Sequence, residues 1–318
     1  MPSLRVHIFR IRDAARRHPA LVLVAACAAV SAALTAGQLA GSSLATSTAS
    51  ALACAAIVAA ALSCFPRAVS LACGEPASSE GHRALPSWAA SPFLAVACLA
   101  CSAAAFLVVF SLLGGDASQP PAEVAGTQAG APAPAAPASL PLVLLSFGAY
   151  LLVCACTGFY EEGLFRVLAQ GVFERAFRSR GSAPESCPLL AALLVSALFA
   201  LLHLSAPAPG ASFTAPLAAQ MALKCAQGFL FGLIMTGFVR RTGSLALAAT
   251  LHACYDAALF LPWMLATGAF PSTYLTGAPA EAAALAAAAL LLAPAAFAAA
   301  RLLACGGAVQ QPARPTRA

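Results

Sequence analysis

The sequence predicts an all-α fold, a polytopic membrane helical bundle of about eight transmembrane helices. Only 9% of the 318 residues are charged and 61% are hydrophobic, whereas a soluble domain carries about 25% charged residues. Apolar stretches recur at lengths near the roughly 20 helical residues that cross a bilayer core. Basic residues fall on one side of the alternating loops, which is the positive-inside pattern of membrane proteins.

Eight apolar stretches are predicted spans, of which the second and fifth are the shortest. In chain order they cover 20–40, 49–65, 91–113, 140–160, 188–204, 215–239, 243–264 and 280–304. Apart from Lys224 in span six, every Lys and Arg lies before span one, after span two, four or six, or at the C-terminal end from Arg301 onwards. Both termini are therefore predicted to face the cytoplasm. The net charge of +6 follows from this topology and predicts no nucleic-acid partner.

The N-terminus allows a second interpretation, because basic residues followed by an apolar run also describe a secretory signal peptide. The run over 20–40 is longer than an ordinary signal-peptide core of about 7–15 residues. We therefore predict a retained first helix and a multi-pass integral protein of the cell membrane.

The chain divides at a low-complexity stretch rich in Pro, Ala and Gly, which predicts a flexible external linker. The predicted segments are a three-helix membrane segment with a basic start, 1–113; the linker, 114–139; a catalytic five-helix membrane core, 140–305; and a disordered tail, 306–318.

Ionisable side chains concentrate in spans four to seven. Such groups are costly at membrane depth and usually face a polar cavity that serves function. The set consists of Glu161, Glu162, His203, Lys224, His252 and Asp256. Lys224 has two open interpretations, contact with an anionic substrate terminus or snorkelling to the membrane surface.

Helical spacing predicts which of these groups share a face. Glu162 and Arg166 stand at i and i+4, within ion-pair reach if span four continues through them. Glu161 is rotated by about 100° from its neighbour and stays free to face a site. The alternative is that both acids are interfacial and reach into water.

Two further pairs have the same spacing, Phe199 with His203 and His252 with Asp256. The second pair can jointly hold a metal, a water or an oxyanion, whereas a lone histidine such as His203 is also an ordinary packed residue. The predicted boundaries put Glu161 at the cytoplasmic end of span four and His203 at the outer end of span five. This spread in depth fits poorly with one compact site.

The motifs EEGLFR (161–166), FALLH (199–203) and HACYD (252–256) together resemble the CPBP family of intramembrane proteases. That family includes the type II CAAX prenyl endopeptidases and bacterial relatives tied to bacteriocin processing or immunity. The resemblance covers about residues 142–260. Each motif alone is weakly specific, but the three in this order are strongly so.

The resemblance implies roles for the matching residues. Glu161 would be the general base on the attacking water, with Glu162 supporting it through Arg166. His203 would bind or activate that water or ligate a metal, and His252 with Asp256 would complete a metal site or stabilise the oxyanion. An ionised Asp accepts hydrogen bonds only, which favours ligation or orientation of His252 as the role of Asp256.

The predicted function is therefore an intramembrane glutamate- or metallo-endopeptidase acting on a hydrophobic or prenylated, CAAX-like peptide within membrane lipid. One divalent metal ion such as zinc is a candidate cofactor, with Glu161, His203, His252 and Asp256 as candidate ligands. Two alternatives remain, a proton-coupled transporter and a non-catalytic membrane scaffold or immunity protein. A transporter would favour internal repeats, and the two halves of the sequence show no convincing match.

Overall fold

The computed structural model describes residues 13–15, 17–40, 43–65, 140–183, 186–204, 213–267 and 279–305. Every regular element within these ranges is helical, which confirms the predicted all-α class for this part of the chain. The elements are α1 (Pro19–Leu39), α2 (Leu44–Ser63), α3 (Leu140–Glu161), a π-helix (Glu162–Ala169), α4 (Gln170–Ser179), α5 (Cys187–Leu202), α6 (Ala215–Thr242), α7 (Leu245–Thr267) and α8 (Pro279–Cys305).

Five helical runs in the described part are long and apolar enough to cross a membrane. They are Pro19–Gly37, Leu44–Ser63, Leu140–Ser179, Ala215–Thr242 and Leu285–Ala304. The helices Cys187–Leu202 and Leu245–Leu261 are apolar but shorter. The predicted span over 91–113, the linker 114–139 and the tail 306–318 lie outside the described residues. The count of eight spans and the cytoplasmic termini therefore stay predictions.

Span four differs from its predicted extent of 140–160. The helix continues past the two carboxylates through the π-helix and α4, which makes one helical run of 40 residues, Leu140–Ser179. All eight residues of the π-helix are buried. The continuation through Arg166, on which the predicted Glu162–Arg166 pair depends, is thus present, although the apolar stretch itself ends at Tyr160. Glu161 and Glu162 thus lie in the middle of a helical run and not at its end.

This continuation also corrects the predicted spread in depth. The chain reverses between α4 and α5, so α5 returns along the same helical run. At 1.5 Å per residue, Glu161 and His203 each lie about 25 Å along the helices from that turn. The two residues are therefore level with each other, although the predicted boundaries had put them at opposite ends of their spans.

Glycines set the close helix contacts around the core. A Cβ built on Gly158 of α3 would overlap the carbonyl oxygen of Ala249 in α7 and lie 3.0 Å from the Ala253 nitrogen. On α6, a Cβ at Gly232 would lie 2.9 Å from Ser196 Cβ of α5. Gly232 stands four residues after Gly228 in a GxxxG spacing, which lets membrane helices approach closely, and the glycine of α3 adds a second such contact.

The α6–α7 hairpin has clear end signals. Thr214 caps α6 by accepting a hydrogen bond from Leu217 N at 3.4 Å, and Gly243 ends the helix in the left-handed conformation at φ 64°. A glycine is favoured there because other residues meet a steric penalty at positive φ. The hairpin places the middle of α7 beside α3 and beside the buried half of α6.

Candidate active site

Four of the predicted site residues converge around one carboxylate oxygen, Oε2 of Glu161. The Nε2 atoms of His203 and of His252 each lie 3.6 Å from it. The same Nε2 of His252 lies 3.6 Å from Oδ2 of Asp256. Glu161 ends α3, His203 follows the last residue of α5, and the other two belong to α7. The structure thus brings together three motifs that are distant in sequence.

Glu162 is the anchored member of the acid pair. Its Oε2 accepts a hydrogen bond from Nε of Arg166 at 3.2 Å, and both side chains are fully buried. The predicted ion pair between these residues is therefore confirmed. The other oxygen, Oε1, lies 2.7 Å from Nδ1 of His252. Glu162 consequently orients the histidine as well as pairing with the arginine, a contact that the sequence did not predict.

Hydrogen bonds to Nδ1 determine which ring atom each histidine presents to Glu161. His203 donates from Nδ1 to the backbone carbonyl of Phe199 at 2.7 Å, because a carbonyl can only accept. His252 donates from Nδ1 to the Glu162 carboxylate for the same reason. Each ring therefore presents Nε2 to the Glu161 oxygen, as a lone pair when the ring is neutral and as an N–H donor when it is protonated. When the rings are neutral, these facing acceptors call for a proton donor or a cation between them.

Aromatic rings form the wall of the site. The Phe199 ring lies 4.2 Å from the His203 ring, and the guanidinium carbon of Arg166 lies 4.8 Å from the Phe199 centroid. Phe231 of α6 packs at 4.8 Å from the His252 ring. The side chain of His203 is 30% exposed, whereas that of His252 is 4% exposed. The site is therefore enclosed around His252 and open towards His203.

Several polar atoms of the site are buried without a hydrogen-bond partner among the described residues. They are Oε2 of Glu161 and both terminal nitrogens of Arg166. A buried polar atom left unsatisfied costs about 1–3 kcal/mol, so such atoms indicate a functional site. The remaining oxygen of Glu161, Oε1, accepts from the Tyr160 hydroxyl at 3.2 Å. Tyr160 therefore fixes the carboxylate and leaves Oε2 free to act.

A second polar chain reaches the site from α6. Gln227 donates from Nε2 to the Tyr255 hydroxyl at 2.8 Å, and Lys224 donates to Oε1 of Gln227 at 3.3 Å. The Lys224 ammonium also interacts electrostatically with Asp256 and Glu161. Sequence reasoning singled out the lysine but missed its two neighbours. Their only signal was the helical spacing from Lys224 to Gln227 and the position of Tyr255 beside Asp256.

The donor atoms suit a divalent metal in type. Two imidazole nitrogens and two carboxylates are common zinc ligands, and ligating histidines usually donate their other N–H to a carbonyl or carboxylate, as His203 and His252 do. As they stand, no three His, Cys, Asp or Glu side chains among the described residues form a group that could hold a metal ion. A metal cofactor therefore stays a prediction that rests on donor chemistry.

Residues 143–258 match the family model described as type II CAAX prenyl endopeptidase Rce1-like. This match confirms the resemblance drawn from the three motifs and spans all six predicted site residues. No curated protein and no solved structure matches the chain. Together with the long apolar helices, the match describes an integral membrane protein in which residues 143–258 resemble the type II CAAX prenyl endopeptidases.

Proposed function

We propose that the protein is an intramembrane endopeptidase that hydrolyses a peptide bond in a hydrophobic or lipidated, CAAX-like protein or peptide. The observation that carries the proposal is the unsatisfied Oε2 of Glu161, which is buried and faces two imidazole nitrogens at 3.6 Å. A base of this kind, next to groups that bind water, is what hydrolysis without a nucleophilic Ser or Cys requires.

In this mechanism a water molecule lies between Oε2 of Glu161 and Nε2 of His203. It donates one hydrogen to each acceptor, so its lone pair faces a substrate carbonyl. Glu161 takes the proton as the water attacks and later delivers it to the leaving amine. Tyr160 supports this role by holding the other carboxylate oxygen at 3.2 Å. The opening beside His203 admits the water from outside the bundle.

His252 is placed to stabilise the tetrahedral oxyanion. In its protonated form it donates through Nε2, and the oxyanion is the acceptor that develops during the reaction. Glu162 holds the opposite ring nitrogen at 2.7 Å. Asp256 can only accept hydrogen bonds when ionised, so its role in this scheme is to orient the ring.

A divalent metal ion such as zinc is the proposed cofactor for the same donors. Glu161, His203, His252 and Asp256 would hold it, and when bound it would supply Lewis-acid polarisation of a carbonyl or of a water. Metal analysis of the purified protein tests this part separately. We expect one zinc per chain in the wild type and loss of zinc in His203→Ala; a metal-free, active wild type would contradict it.

The family match supports a hydrophobic or prenylated substrate. The apolar surfaces of the long helices are compatible with a substrate of this kind. We place the protein in the cell membrane with the acid pair near its cytoplasmic face, because the basic residues follow the even-numbered spans. No observation on the described residues favours the transporter or the scaffold alternative.

Comparative mass spectrometry of membrane peptides tests the proposal in cells. Cells that carry wild-type protein and cells that carry Glu161→Gln are compared, with equal membrane insertion verified by fractionation. We expect specific peptides to lose their cleaved ends in the variant, because a neutral amide cannot take the proton from water. Identical peptide profiles at equal protein levels would overturn the proposed protease activity.

A further inference from the structure

We propose that Lys224 is a specificity-determining residue that binds the C-terminal carboxylate of the substrate. The inference rests on the proposed function and names the part of the substrate that this side of the site recognises. Lys224 is the chain's only lysine. It lies in the first half of α6, one of the helices long and apolar enough to cross a membrane. A charge at such a position is costly and indicates a functional role.

The position of Lys224 is set by contacts on α6 and α7. Its ammonium donates to Gln227 one helical turn further on, and Gln227 in turn donates to the hydroxyl of Tyr255. Tyr255 directly precedes Asp256, which belongs to the site. Through Gln227 and Tyr255 the ammonium is therefore connected to the chain segment that carries Asp256.

A substrate that ends in a carboxylate needs a cation nearby, because the site itself carries negative charge. Two carboxylates, those of Glu161 and Asp256, face the site and repel another anion, whereas Glu162 is paired with Arg166. Arg166 is 1% exposed and is held by Glu162 and by the face of Phe199. Among the described cations near the site, Lys224 is the one that is only partly buried. A lysine ammonium has three donors, so it can bind a carboxylate alongside Gln227.

A CAAX tail has a defined length. Three residues follow the lipid-bearing cysteine and end in a free carboxylate. Extended, they span about 10 Å. The proposal places a bond next to the cysteine at Glu161 and the terminal carboxylate at Lys224, so it requires these two groups to lie about that far apart.

A purely structural role for Lys224 makes a different prediction. If the lysine serves only to neutralise Asp256, its removal weakens cleavage of every peptide by the same factor. If it binds the substrate terminus, its removal affects only peptides with a free carboxylate. The comparison of a carboxylate with a carboxamide at the substrate end therefore separates the two roles.

The cleavage experiment uses full-length protein in lipid nanodiscs and two farnesylated peptides that end in a free carboxylate or in a carboxamide. For the wild type we expect the carboxamide to raise KM about tenfold with kcat nearly unchanged, since one charge-assisted contact is lost. In Lys224→Met both peptides should show the raised KM, and Lys224→Arg should restore part of the preference. Arg301→Met, on an exposed arginine of α8, is the control for loss of one positive charge. Equal KM values for both peptides in the wild type would overturn the inference and leave the protease proposal intact.

A binding experiment covers the case in which neither peptide is cleaved. Fluorescence anisotropy of the same two peptides is measured on Glu161→Gln and on Glu161→Gln combined with Lys224→Met. We expect about tenfold tighter binding of the carboxylate peptide to the first variant and no preference in the second. Retained preference without any cleavage by the wild type would reject the protease activity while keeping carboxylate recognition. Equal binding of both peptides to Glu161→Gln would reject the recognition itself.

Discussion

Two buried acids on the same helical run, Glu161 and Glu174, have opposite surroundings. Both oxygens of Glu174 accept hydrogen bonds: Oε1 from Gln170 at 2.9 Å and from Arg240 at 3.1 Å, and Oε2 from Arg178 at 3.2 Å. Glu161 has one satisfied oxygen and one that lies 3.6 Å from two imidazole nitrogens without a hydrogen bond among the described residues. We call the residues around Glu174 the Glu174 clamp, consisting of Gln170, Glu174, Arg178 and Arg240.

The difference fits a structural role for Glu174 and the proposed base role for Glu161. The Glu174 clamp connects α4 to the end of α6, and Gln170 also donates to the Pro188 carbonyl of α5 at 3.0 Å. The Glu174 carboxylate is saturated by donors. The Glu161 carboxylate lacks donors at one oxygen, and such an atom costs stability. Both acids are buried, so the number of donors is what distinguishes the proposed base from the structural acid.

The strongest test exchanges each acid for glutamine. In Glu161→Gln we expect kcat to fall about a thousandfold, within the usual contribution of a general base, with an unfolding midpoint equal to or above that of the wild type. The midpoint is not expected to fall because the change removes a buried charge that lacks a donor. Peptide hydrolysis and thermal unfolding in nanodiscs measure the two quantities. Wild-type hydrolysis by Glu161→Gln would remove the distinction between the two acids.

The second-largest loss of activity is expected from a change at the contact between α3 and α7, which positions the acid pair. Gly158→Val should push α3 away from α7, because a Cβ there meets the backbone of Ala249 and Ala253. A displacement of about 1 Å at the site can cost about a hundredfold in rate. Gly148→Val on the same helix is the matched control, since a Cβ at Gly148 has no neighbour within 4 Å. Equal rates for both variants would show that this contact does not position the site.

A smaller effect is expected from Tyr160→Phe. This change removes the donor to Oε1 of Glu161 and leaves the ring in place. The loss of one hydrogen bond to a carboxylate of about 1 kcal/mol corresponds to roughly a fivefold fall in kcat. Steady-state kinetics that give both kcat and KM measure this change. A fall as large as that of Glu161→Gln would mean that the tyrosine takes part in the chemistry directly.

The smallest effect on activity is expected from Glu174→Gln. Hydrolysis should stay within about twofold of the wild type, while loss of the charged partner for two arginines lowers the free energy of unfolding by about 1–3 kcal/mol. Arg240→Met should show the same pattern more weakly, since its side chain is 34% exposed and Arg178 remains bound. Thermal unfolding measures the change in stability, and hydrolysis rates measure the change in activity. A large loss of activity at full stability would place Glu174 in the reaction.

The sequence singled out the acid pair Glu161 and Glu162 but not the clamp, and the reason lies in spacing. Glu162 and Arg166, and His252 and Asp256, stand at helical i and i+4 in apolar surroundings, where polar residues are rare enough to be informative. Glu174 lies among arginines after the apolar stretch, where an acid is ordinary. Its partner Arg240 is 66 positions away in the chain, and no local pattern predicts such a contact.

The depth of the site could not be predicted for a related reason. Hydropathy marks where apolar residues stop, at Tyr160, and not where the helix stops, at Ser179. The π-helix joins the two parts, and its eight buried residues include the charged pair Glu162 and Arg166, so the mean hydropathy falls where the helix continues. Phe231 and Tyr160 were missed because aromatic residues in an apolar helix are common and carry no signal of their own.

The apolar part of α3 from Leu140 to Tyr160 measures about 30 Å at the rise of an α-helix, and Glu161 follows directly. That length equals the hydrocarbon thickness of an average bilayer. In lipids with longer acyl chains the carboxylate would be drawn below the headgroups and away from bulk solvent, unless the helix tilts less or the bilayer thins around it. Turnover should therefore depend on acyl-chain length, which makes hydrophobic mismatch a means by which membrane composition controls this protein.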